Sequence, residues 1–84
     1  MSFVVTKVSR GDLHLTDGTS TVRVLGEGLL PPTPSDPSFV VYLNSFEAKD
    51  ARGAAVPMDD RIRKDVIDAI KDHFAKQGSV VDFE

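Results

Sequence analysis

From Asp12 to Thr16 the chain alternates polar and apolar residues, Asp-Leu-His-Leu-Thr. A period of two marks a strand with one buried face. Thr19 to Leu25 returns as its partner strand, alternating from Thr21 to Val24. Between them stands Asp17-Gly18, a pair that readily takes the positive φ a two-residue hairpin turn needs at both positions. With those two residues as the loop, Thr16 faces Thr19, His14 faces Thr21, Leu13 faces Val22 and Asp12 faces Arg23. Leu13, Leu15, Val22 and Val24 then share one face, and His14, Thr16, Thr21 and Arg23 the other. A slip of one residue would mix apolar and polar side chains on both faces.

The remaining pattern divides into clear segments. Phe3 to Val8 is rich in β-branched and aromatic residues and suits a strand. Ser9-Arg10-Gly11 follows as a turn. Pro31, Pro32, Pro34 and Pro37 crowd one stretch, removing donors and restricting the residues before them. That predicts a stiff surface loop over 26–38, and Pro31-x-x-Pro34 also has the spacing of a ligand for a proline-reading module. Phe39 to Leu43 is a continuous apolar run suited to a central strand, extending to about 48, with a small-residue loop over 49–56. From Asp59, apolar residues recur at three and four: Ile62, Val66, Ala69, Ile70 and Phe74. This predicts an amphipathic helix over about 59–77. Asp59 is placed to cap it, Asp60 to meet its positive end, and Gly78 to end it. Ser79 to Phe83 reads as a last strand.

The sum is an α+β fold: a small antiparallel sheet of four to five strands, one helix packed on it, and a short final strand. Residues 1–84 read as one domain, as expected at this length. The expected core sets Ile62, Val66, Ile70 and Phe74 against Val41, Leu43 and the apolar face of the hairpin.

Composition narrows the function classes. The chain has no cysteine, so it has no disulfide, thiolate metal site or thiol nucleophile. Ten Lys and Arg against 13 Asp and Glu give a net charge of −3. Phosphate binding needs clustered cations, and here Arg61, Arg63 and Lys64 are interleaved with Asp59, Asp60 and Asp65. Neither nucleic acid nor an anionic membrane is the expected partner. No apolar run is long enough to span a bilayer, and the start lacks the pattern of a secretory leader. The expected location is cytoplasmic.

Candidate chemistry is sparse. His14 and His73 match no local metal motif. Asp68 and Asp72 lie four apart on one helical face, each with a lysine four residues away, as solvated surface pairs do. There is no nucleophile elbow and no phosphate-binding glycine spacing. The residues point to a binding module: no catalytic residue, metal or cofactor is assigned.

The second half carries a family resemblance. Phe39-Val40-Val41-Tyr42-Leu43-Asn44-Ser45 is followed by a short loop, then Val56-Pro57-Met58-Asp59-Asp60. A helix follows, ending Ile70-Lys71-Asp72-His73-Phe74-Ala75-Lys76-Gln77-Gly78, and the chain closes on Val80-Val81-Asp82-Phe83-Glu84. This resembles the bacterial immunity protein 74 family of polymorphic toxin systems. The Arg10–Leu15 and Val22–Val24 segments are compatible with that family's opening hairpin.

The resemblance implies an antitoxin that occludes a cognate toxin domain stoichiometrically, without turnover. Glu47, Asp50, Asp59 and Asp60 are the partner-binding candidates, as acids able to complement a basic toxin surface. A second reading is a housekeeping or phage-derived structural domain that self-associates through an edge strand. A third is a small enzyme or ligand binder using His14 or His73. A large secreted-effector gene beside this one favours the first, and an isolated or prophage location the second.

Overall fold

The computed structural model describes residues 3–30, 32–33 and 35–84. Among the described residues there are seven strands and one α-helix, α1 (Asp60–Lys76). The strands are β1 (Val4–Val8), β2 (Asp12–Thr16), β3 (Ser20–Gly28), β4 (Pro37–Val41), β5 (Glu47–Asp50), β6 (Ala55–Val56) and β7 (Val80–Phe83). The main path across the sheet is β1-β2-β3-β4-β7, and β5 pairs with β3 and β6. The fold is α+β, with the helix in the C-terminal half and a strand after it.

The sheet is mixed, where the sequence predicts an antiparallel one of four to five strands. β4 and β7 run parallel, and every other pair is antiparallel. Parallel neighbours need a long crossover. The chain from β4 through α1 supplies it and delivers β7 beside β4. The extra strands come from the stretch read as a small-residue loop, which folds into the β5–β6 hairpin around Gly53.

The helix follows its sequence pattern. Asp59 caps it, accepting the Ile62 N–H at 2.8 Å. Gly78, with φ +70°, follows its C-terminal end. Val66, Ile70 and Phe74 are buried and join Leu13, Leu15, Val22, Val24, Phe39 and Val41 in one core. Ile62 packs at the edge of that core. Leu43 does not belong to it: it sits in a short 3-10 turn (Leu43–Ser45) and is half-buried.

That turn divides the strand expected over 39–48. β4 pairs with the end of β3, and β5 with its beginning. Ser45 bridges the gap: its Oγ accepts the Leu25 N–H at 2.9 Å and donates to the Tyr42 carbonyl oxygen at 2.6 Å. The loop read over 26–38 is shorter than expected, since Gly26 and Gly28 lie in β3, and Pro37 and Ser38 in β4. Pro31 and Pro34, and with them the Pro31-x-x-Pro34 spacing, lie outside the described residues.

The hairpin register differs from the one the Asp-Gly pair predicts. Thr16 faces Thr21, Leu15 faces Val22, His14 faces Arg23, Leu13 faces Val24 and Asp12 faces Leu25. The loop therefore takes in Thr19 and Ser20. Asp17 is the reason, because its Oδ1 accepts the N–H of Thr19 at 2.9 Å and of Ser20 at 2.7 Å. The slip is two residues, so each side chain keeps its face. Gly18 still takes positive φ, at +97°. Gly18→Val is expected to cost about 1–2 kcal/mol, because a β-branched residue resists that conformation. A melting curve checks this.

β1 carries a bulge at Thr6, between Val5 facing Leu15 and Lys7 facing His14. The extra residue moves Lys7 to the polar side and returns Val8 to the side of Leu13.

Candidate partner-binding face

Side-chain alternation gives the sheet an inner face, covered by α1, and an outer face without a helix. β3 runs the length of the outer face, presenting Thr21, Arg23, Leu25 and Glu27 in one row. At one end of that row, cross-strand pairing sets Arg23 beside His14 and Glu47, and Thr21 beside Lys49. His14, Thr21, Arg23, Glu47 and Lys49 line a shallow depression of about 270 Å³.

Asp12 organises the polar end. Its carboxylate accepts a hydrogen bond from the Ser9 hydroxyl. It also accepts the Arg23 Nε–H at 2.9 Å, diagonally across the strand pair, and lies 3.3 Å from His14 Nε2. The Ser9 hydrogen bond and then Arg23 hold its pKa down to about 2 from an ordinary 3.8. A depressed carboxylate stabilises the fold above its unfolded pKa, and loses that contribution as pH falls through its folded one. Asp12→Asn is therefore expected to melt below wild type at neutral pH. The gap should close between about pH 4 and pH 2, as thermal melts across that range will show.

The two histidines occupy different sides of the sheet. His14 is on the outer face. His73 lies on α1, with its ring edge-on to Phe74 at 5.5 Å between centroids. Among the described residues no three His, Asp or Glu side chains converge as metal ligands would.

The geometry of the described residues is that of a small fold with a broad, open polar face. The family model of Immunity protein 74 matches residues 5–84. The chain belongs to that family. No curated protein and no solved structure matches it.

An Immunity protein 74 member implies a protein partner, so the exposure of its surface acids matters. Glu47 is exposed on the outer face, 3.8 Å from Lys49. Asp50, three residues on, has its carboxylate tied into the β5–β6 turn, where it accepts the N–H of Arg52 at 2.8 Å and of Ala54 at 3.0 Å. Asp59 is occupied by helix capping. Asp60 is exposed in the first turn of α1. Of the four acids singled out in the sequence, only Glu47 lines the outer-face depression. Asp59 serves the backbone as the cap its place before the helix predicts, and Asp50 serves a turn that a charge pattern along the sequence does not reveal. The pairing of Glu47 with Arg23 was hidden for another reason: it depends on β5 lying beside the first half of β3.

Proposed function

We propose that this protein neutralises a cognate bacterial toxin domain by binding it one-to-one in the cytoplasm and occluding its working surface, with no turnover. The observation that carries the reading is membership of an immunity-protein family over residues 5–84. The open outer face supports it, since a rigid sheet can offer the roughly 800 Å² per partner of a standard interface. Glu47 and Asp60 are the candidate acids whose side chains can be reversed without removing a backbone cap or turn. Asp50 and Asp59 remain part of the proposed contact surface but are poor probes of it.

The test uses the purified C-terminal toxin domain encoded beside this gene. Wild type should form a one-to-one complex and abolish the toxin's activity at equimolar ratio. Glu47→Lys and Asp60→Lys should slow association several-fold and flatten its dependence on salt, with the melting temperature unchanged for Glu47→Lys and modestly lowered for Asp60→Lys, whose new cation sits at the positive end of α1. No complex with that domain would remove the immunity assignment.

A further inference from the structure

The other end of the outer face has a different chemistry. The pairings of β3, β4 and β7 arrange it as three rows. In the first, the Tyr42 N–H donates to the Leu25 carbonyl oxygen at 3.0 Å, and Glu84 continues β7 alongside, its N–H on the Val41 carbonyl oxygen at 2.8 Å. In the second, Glu27 faces Val40, and Val40 faces Asp82. In the third, the Leu29 N–H donates to the Ser38 carbonyl oxygen at 2.9 Å, and the Ser38 hydroxyl to that of Val80 at 3.2 Å.

Four large apolar residues stay exposed on these rows: Leu25 at 39%, Leu29 at 37%, Tyr42 at 37% and Val80 at 38%. Val40 forms the floor. It is 8% exposed, yet it lies outside the helix-covered core. Three carboxylates, Glu27, Asp82 and Glu84, stand among them, and the nine positions hold no cation. Arg10 borders the patch beside Gly28, around a wider hollow that Leu30 also lines.

The charges are close enough to act on Tyr42. Its hydroxyl donates to Glu27 Oε2 at 3.3 Å. Its pKa is raised, first by the charge of Glu27, then by burial and that hydrogen bond, and then by Glu84. An aromatic anchor set among aliphatic neighbours, with charged groups around it, is how interface centres are built. The polar end differs, because there Asp12 is matched by Arg23, and Glu47 by Lys49.

We propose that this patch is the anchoring centre of the toxin interface, with Tyr42 buried in it, and that the toxin surface seated on it is basic, presenting Lys or Arg to Glu27, Asp82 and Glu84. The inference rests on the immunity reading and adds to it the location and charge of the contact. Like charge excludes acidic surfaces, and the apolar floor rewards a partner that brings aliphatic stems along with its cations.

The experiment measures association and dissociation of the same purified toxin domain against wild type, Tyr42→Ala, Asp82→Lys and Asp72→Ala, with a melting curve for each. Tyr42→Ala should weaken binding by about 30-fold or more, mostly through faster dissociation. Asp82→Lys should slow association about tenfold and remove much of the wild-type salt dependence. Asp72→Ala, on the helix covering the inner face, should bind within about threefold of wild type, as most residues outside an interface centre do. If Tyr42→Ala does not fold, Asp82→Lys at its exposed strand position decides alone. Wild-type kinetics in Asp82→Lys together with Tyr42→Ala would overturn the patch while leaving the immunity reading in place. A wild-type chain that binds no toxin domain overturns both. A wild-type dimer in sedimentation that Tyr42→Ala converts to monomer would assign the patch to a second copy, and so overturn it as a toxin contact.

Discussion

Ile70→Ala is expected to leave the protein marginal or unfolded. Ile70 is fully buried, on the same helical stripe as Val66 and Phe74, and packed into the one core cluster. Removing its outer methyl groups loses their transfer free energy and leaves a cavity, together about 2–5 kcal/mol. A domain of this length holds only about 4–13 kcal/mol in total. The core has little redundancy, because one helix covers one face of one sheet. At roughly 4–8 °C per kcal/mol for a domain of this size, the melting temperature should fall by roughly 8–40 °C. Ile62→Ala, at the half-buried edge of the stripe, should fall by much less. Thermal unfolding followed by circular dichroism compares the two directly. A shift of only a few degrees for Ile70→Ala would show that α1 is not seated on the sheet as described.

Gly26→Ala should be the most damaging of the glycine substitutions. The reason is space rather than conformation. Gly26 lies where β3 changes partners, and a methyl group there would run into the Val40 carbonyl oxygen and the edge of the Phe39 ring. Phe39 is part of the core and contacts Phe74, with 5.7 Å between ring centroids. Neither obstacle can swing aside as the tip of a flexible side chain could. Overpacking of this kind costs about 1–3 kcal/mol when side chains can adjust, and more when backbone must move. The strand pair β3–β4 would have to separate, and β4 is what holds β7. Gly11→Ala is the matched control: a methyl group meets nothing within 4 Å there. Its φ is not positive, so the substitution should be neutral or slightly stabilising, as where a glycine's unfolded freedom is reduced without strain. Denaturant titration of the two variants separates crowding from any general intolerance of glycine replacement. Equal stability of the two would mean that β4 does not approach β3 at Gly26.

The contact face was only partly legible in the chain. The alternation of β2 and β3 placed His14 and Arg23 on a polar face, because a period of two is local information. The register needed more. Thr19 and Ser20 join the loop because the Asp17 carboxylate holds their N–H groups, a side-chain bond that competes with the simplest turn. Tyr42 read as one more residue of a buried run, and nothing beside it in sequence marks it as exposed. Its setting depends on Glu27 and Glu84, 15 and 42 positions away along the chain.

Local periodicity and capping chemistry, which act over a turn of helix or two residues of strand, determined the helix between its Asp59 cap and Gly78, the apolar stripe of Val66, Ile70 and Phe74, and which side chains of the first hairpin face the core. The α+β class follows from those elements, since an amphipathic helix and half-apolar strands can bury their faces only against each other. Tertiary structure alone decided that β7 pairs parallel to β4, that β3 exchanges β5 for β4 at Gly26 and Ser45, and that Leu25, Tyr42 and Asp82 meet on one surface. Those choices rest on contacts between residues distant in sequence. Their free energy comes from closing the core as a whole, and no short window of the chain carries it.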